Sequence, residues 1–165
     1  MGLNKKLYSK SLSIDSFRPK LKLLNFLEKK IVFTNGVFDI LHTGHVDYLS
    51  KARDLGDFLV VGLNTDSSVK RLNKGPERPI NNEKSRAIVL GALECVDAIL
   101  LFDEDTPYNL IKEIQPDILV KGSDYEIEKI VGYDIVTAKG GQVKTITLSQ
   151  GFSTTNLINK INSGK

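Results

Sequence analysis

Apolar residues along the chain fall into two rhythms. Leu21, Leu23, Leu24 and Leu27 recur at roughly helical spacing and predict a short amphipathic helix over 21–27. Ile31-Val32-Phe33-Thr34 is a β-branched and aromatic run bounded by Asn35-Gly36, which reads as a buried strand. Further strand-like runs occupy Phe58–Leu63, Ala98–Phe102, Asp117–Val120 and Val143–Leu148. Helical patterns lie between them at Val46–Leu55, Lys84–Leu93, Tyr108–Ile114 and Tyr133–Ala138. A last helix is predicted from Ser153, capped by that hydroxyl and burying Leu157, Ile158 and Ile161.

Strands alternating with helices predict parallel strands joined by right-handed crossovers. The expected fold is α/β: a single doubly wound, Rossmann-like domain with a mostly parallel five-stranded sheet. Ligands of such sheets collect outside the carboxyl ends of the strands, where strand order reverses. The loops after Thr34, Leu63, Val120 and Leu148 should therefore surround one crevice. The domain is expected over 30–165, behind an N-terminal extension and short helix over 1–29 whose first 15 residues are loosely attached. No repeat, low-complexity tract or interdomain linker interrupts the pattern.

Composition narrows this only modestly. The 165 residues are 41% hydrophobic and 26% charged, as in soluble globular proteins rather than disordered or fibrous ones. No apolar run approaches the ~20 residues that span a bilayer. Met1–Leu12 has no signal-peptide core, so a soluble, cytoplasmic protein is expected, with no membrane partner. Cys95 is the only cysteine, which excludes an intramolecular disulfide and a cysteine zinc site, and it reads as a small buried residue. A net charge of +3 does not suggest a general nucleic-acid binder. Its distribution says more. Lys70, Arg71, Lys74, Arg78, Lys84 and Arg86 stand against only Glu77 and Glu83, a local excess larger than the whole chain's, which suits a small anionic ligand.

The candidate chemistry lies in Thr34-Asn35-Gly36-Val37-Phe38-Asp39-Ile40-Leu41-His42-Thr43-Gly44-His45, between the first core strand and a helix. Gly36 permits backbone conformations that other residues resist. Gly44 has no side chain to keep phosphates from the backbone. A helix starting near it would aim N–H groups and its positive dipole end at an anion. His42 and His45, the only two histidines, sit at this mouth as donors to phosphate oxygens. No GxGxxG and no GxxxxGK[ST] motif is present.

His42-Thr43-Gly44-His45 resembles the HxGH signature of the nucleotidylyltransferase superfamily, and Gly151-Phe152-Ser153-Thr154-Thr155-Asn156 resembles its second signature, GxSTT. Within that superfamily the chain is most similar to the heptose 1-phosphate adenylyltransferase group of bacterial lipopolysaccharide synthesis. The likeness runs from about Lys30 to Ile161 through Thr34–His45, Arg78-Pro79-Ile80-Asn81, Val89–Leu93, Leu119–Tyr125, Gly140-Gly141 and Ser153–Asn156. In many bacteria this activity is fused behind a sugar kinase; none precedes it here, which looks like the free-standing form. Glycerol-3-phosphate cytidylyltransferases carry an arginine where this chain has Leu148, which weakens a CTP and glycerol phosphate reading.

The resemblance implies in-line attack by a sugar 1-phosphate on the α-phosphorus of ATP, with release of pyrophosphate. It implies His42, His45 and Arg86 as catalytic residues, Arg86 on the β- and γ-phosphates. Val37, Phe38, Gly44, Lys70, Arg78, Ser153, Thr154 and Thr155 would bind the nucleotide, with Lys70, Lys74 and Arg78 closing over the triphosphate. Asp39, Lys121 and Asp124 would lie on the substrate side, Asp39 near a water or Mg²⁺. The implied cofactor is Mg²⁺ carried by the triphosphate. The implied partners are ATP (or CTP) and a phosphorylated sugar or polyol, with a possible homodimer. Two readings of other classes compete. A class I aminoacyl-tRNA synthetase would need a lysine-rich loop and a tRNA-binding domain that 165 residues leave no room for. A regulatory nucleotide-binding domain is disfavoured by the intact histidines and Ser-Thr-Thr.

Overall fold

The computed structural model describes residues 2–72, 75, 77–123, 125–147, 158, 161 and 163. Its centre is the strand that the sequence marks first. In β2 (Ile31–Gly36), Ile31 and Phe33 enter one core cluster and Val32 enters the other, so the period-2 alternation of a strand serves two buried faces. The next strand, β3 (Phe58–Asn64), is buried at every position. β4 (Ala98–Phe102), β5 (Ile118–Gly122) and β6 (Gln142–Ile146) follow, each after helical crossover chain.

The sheet has six strands, not five. β1 (Ser11–Leu12) pairs with β4 through Ser11–Ile99 and Leu12–Leu100, giving the order β1-β4-β3-β2-β5-β6 with every pairing parallel. The segment expected to be loosely attached is therefore part of the sheet. Behind β1, α2 (Ile14–Phe26) is capped by Ser13, which accepts the Ser16 N–H, and buries Phe17, Leu21 and Leu24. That helix is twice as long as its leucine pattern predicts, because Phe17 completes the stripe one turn earlier. Phe17 lies 6.1 Å from the Phe58 ring centroid, so residues before 30 share the core of those after it. α1 (Leu3–Tyr8) lies against α5 (Glu83–Gly91).

Helices α3 (Thr43–Arg53), α4 (Asp66–Arg71), α6 (Tyr108–Ile114) and α7 (Tyr133–Ala138) complete the described elements, with a 3₁₀ turn at Ile127–Lys129. α4 has no counterpart in the predicted pattern, since six residues carry too little periodicity. The final helix predicted from Ser153 lies outside the described residues. Cys95 is only partly buried, at the edge of the second core cluster. Among the described residues, no helix is long and apolar enough to cross a membrane.

The two ends of the sheet are built differently. At the amino end, each of three strands is preceded by an aspartate that accepts the N–H at the start of its neighbour. Asp57 accepts from Lys30 at 2.9 Å, Asp97 from Leu59 at 2.8 Å and Asp117 from Ile31 at 2.8 Å. Arg53 and Lys139 neutralise Asp97 and Asp117 at 2.8 and 2.9 Å. This carboxylate collar consumes backbone donors that the sheet's own ladder leaves over. At the carboxyl end, strand order reverses between β2 and β5. The crevice expected of such a sheet opens there.

Candidate active site

β2 ends at Gly36, and the next six residues turn the chain into α3. A Cβ at Gly36 would lie 2.9 Å from Cε2 of Phe38, so any side chain there would have to displace that ring. Phe38 has φ +46°, in the left-handed region that an aromatic residue enters only under constraint. Its ring meets His45 edge-on, with centroids 5.3 Å apart. His42 is the N-cap residue of α3, and its carbonyl accepts the His45 N–H at 2.9 Å. The two imidazoles stack at 3.8 Å with 21° between planes. A buried bond of 2.7 Å between Thr34 Oγ1 and the Tyr48 hydroxyl fixes α3 against β2.

Stacking and burial determine the charge of the pair. Burial lowers His42 from its ordinary value, and burial followed by the nearby His42 lowers His45 to about 4. Both rings are therefore neutral near pH 7, each with one N–H to donate. Nδ1 of His45 is buried and has no hydrogen-bond partner among the described residues. Two neutral donors at the start of a helix can stabilise oxygen charge without carrying charge of their own.

The basic segment is less available than its charges suggest. Arg86 is fully buried; its Nη1 donates to the Val37 carbonyl at 2.6 Å, Nε to Asn81 O at 2.9 Å and Nη2 to Asp66 at 2.7 Å. Each of its three guanidinium nitrogens thus meets a protein acceptor, and the contact with β- and γ-phosphates implied for Arg86 remains an expectation. Asp39 is also committed: it accepts from the Ile80 and Asn81 N–H groups at 3.0 and 2.8 Å and pairs with Arg78 Nε at 2.6 Å. Its side chain, expected near substrate or Mg²⁺, secures the segment before α5 in this structure. Arg78 is drawn into that pair, and Arg71 is held by Asp105 at 2.7 Å. Lys70 and Lys84 are exposed, and Lys74 lies outside the described residues.

Val37 and Phe38 line the mouth as buried residues, and Gly44 is buried in the first turn of α3. Lys121, on the last turn of chain in β5, donates to the Asn35 carbonyl at 3.3 Å and lies 5.4 Å from the Tyr125 ring centroid. Both face a cleft of about 250 Å³ closed by Asp105, Thr106 and Ile130. Asn35 also lines this cleft, and its buried Oδ1 has no partner among the described residues. Sequence reasoning passed over Asn35, whose place before Gly36 reads simply as the end of a strand. Asp124, Leu148, Ser153, Thr154 and Thr155 lie outside the described residues. Among the described residues, no three of His, Cys, Asp and Glu gather as a metal site.

Comparison with known proteins identifies the family. The cytidylyltransferase-like family model matches residues 33–160. The bifunctional protein HldE of Geotalea uraniireducens is 53% identical over 152 residues, 92% of this chain and 31% of that one. HldE of Nitrobacter winogradskyi is 60% identical over 131 residues, 79% of this chain and 27% of that one. The chain thus spans about a third of the length of these relatives. A lipopolysaccharide core biosynthesis protein from Thermoplasma volcanium superposes with a TM-score of 0.59 at 34% identity, covering 73% of this chain and 97% of that one. Pantoate-beta-alanine ligase from Francisella tularensis, at 17% identity and a TM-score of 0.63 over 93% of this chain and 76% of that one, shares the fold. With the family model covering residues 33–160, most of its length, this chain belongs to the cytidylyltransferase-like family.

Proposed function

We propose that the chain transfers the adenylyl group of ATP to heptose 1-phosphate, releasing pyrophosphate, as a step of ADP-heptose synthesis for lipopolysaccharide. The observation that carries the reaction is the stacked, neutral pair His42 and His45 at the start of α3. The similarity to a lipopolysaccharide core biosynthesis protein over nearly all of that protein's length supports the acceptor. An oxygen of the acceptor's phosphate forms a bond to the α-phosphorus as the bond to the β-phosphate oxygen breaks. The electron pair leaves with pyrophosphate, and no covalent intermediate with the protein is needed. Catalysis then rests on alignment and on donors aimed at the α-phosphate oxygens. Mg²⁺ would enter on the triphosphate, as a hard cation does when phosphates and waters supply its oxygens. Lys121, at the cleft beside β2, suits the acceptor's phosphate, and Ser153, Thr154 and Thr155 suit the triphosphate.

The test is a matrix of ATP and CTP against heptose 1-phosphate and glycerol 3-phosphate, read as pyrophosphate release. Turnover confined to ATP with heptose 1-phosphate is expected. Turnover only with CTP and glycerol 3-phosphate overturns the acceptor and the base. No release from any pair overturns the reaction.

A further inference from the structure

Arg86 poses a physical question. A guanidinium with no exposed surface is costly to bury unless its donors are matched and its charge is neutralised. Here its three acceptors come from three separate stretches of chain: Val37 after β2, Asn81 before α5, and Asp66 in the first turn of α4. No phosphate is required to explain its burial. What requires explanation is the Val37 carbonyl, which is held at 2.6 Å immediately before the one residue of this loop in the left-handed region.

Phe38 is gripped on both sides. The carbonyl before it is fixed by Arg86, and the side chain after it, Asp39, is fixed by the Ile80 and Asn81 N–H groups. The Asn81 side chain adds a bond to the Asp39 carbonyl at 2.8 Å. An aromatic residue at φ +46° relaxes unless its neighbours prevent it. The Phe38 ring in turn is the surface against which His45 is seated, and His45 stacks on His42.

We propose that Arg86 is a positioning residue: by fixing the Val37 carbonyl it holds Phe38 in its left-handed conformation, and thereby sets the placement of the His42–His45 pair. Its kinetic consequence rests on the nucleotidyl-transfer reading; its structural consequence does not. Losing the grip displaces the donors from the reacting phosphate and lowers turnover, while the binding of ATP is largely spared.

The two histidines are the only ones in the chain, so their ring C–H resonances form an unambiguous pair of signals in the ligand-free protein. Arg86→Lys removes the planar fork but keeps the charge. It should shift the His45 ring resonances and lower kcat by about a hundredfold, the scale of a misplaced catalytic group, with the KM for ATP within about twofold of wild type. In a Phe38→Gly background, where glycine tolerates the left-handed conformation and the ring is gone, Arg86→Lys should move His45 no further. Unshifted His45 resonances in folded Arg86→Lys overturn the proposal. So does a raised KM for ATP at unchanged kcat, which assigns Arg86 to the triphosphate. If Arg86→Lys does not fold, Asp66→Ala, which frees one arm of the fork, gives the same decision: a displaced His45 signal supports the proposal and an undisplaced one overturns it. If wild type releases no pyrophosphate with any substrate pair, the reaction reading fails, and the ring resonances alone decide the role of Arg86.

Discussion

His45 is the residue on which most of the proposed chemistry converges. Its ring is neutral because burial and the neighbouring His42 both oppose a second proton, so in the proposed reaction it would act as a donor without a charge to desolvate. Replacing it with alanine should cost about a hundredfold in kcat, near 3 kcal/mol, if the loss of one donor to an oxyanion is the measure. Steady-state pyrophosphate release checks this, and near wild-type turnover would remove His45 from the chemistry. The same environment makes a stability statement. The unfolded chain takes up a proton near pH 6.5, whereas folded His45 does so only at about 4. Between those values the unfolded state binds more protons, so this contribution is complete above pH 6.5 and drains away as pH falls toward 4. Thermal melts of wild type and His45→Gln from pH 7.5 to 5 should show the steeper loss in wild type; parallel curves would contradict it. These two histidines were legible because their spacing around Gly44 follows a buried strand. The pairing of Arg86 was not legible, because a charge pattern reports how many cations a segment holds and not which acceptors on distant stretches of chain they meet.

At the scale of elements, the strands were the easiest to read. β2 to β5 are buried over most of their length, so each opens on a run of at least three apolar residues. β1 escaped notice because two residues, Ser11 and Leu12, have no period, and their strand character comes only from pairing with Ile99 and Leu100. α2 was underestimated for a different reason. Pro19 within it argues locally against a helix, yet Phe17, Leu21 and Leu24 share one face across that proline. Tertiary burial outweighs the lost backbone bond. Phe17→Ala should therefore destabilise the domain by about 3–5 kcal/mol, as for a large aromatic removed from a core. Denaturant unfolding followed by far-UV circular dichroism measures this. A change below about 1 kcal/mol, typical of exposed sites, would mean that the segment before residue 30 is an appendage after all. The site's loops were legible as glycine and charge patterns, but their hydrogen bonds were not. That Asp39 faces Ile80 and Asn81 depends on chain folding back across some forty residues.

Across the whole molecule, the two ends of one sheet divide the work. The amino end carries the aspartate collar, in which Asp57, held below its ordinary value by the Lys30 N–H, joins Asp97 and Asp117 in tying strand to strand. The carboxyl end carries unspent donors and acceptors, His45 and Asn35 among them. Strand order adds a consequence of its own. β2 is bonded along both edges, to β3 through six residue pairs and to β5 through Val32 and Phe33, whereas β1 contributes two residues at the rim. Opening of the fold in solvent should therefore proceed inward, with β1 amides exchanging their hydrogens for deuterium first and those of Val32 and Phe33 last. Residue-resolved exchange at neutral pH gives that ranking, and slower exchange at Leu12 than at Phe33 would refute it. The histidine loop is thus moored to the strand that lets go last, and mild denaturant should loosen the rim of the molecule well before it disturbs the spacing of two stacked rings.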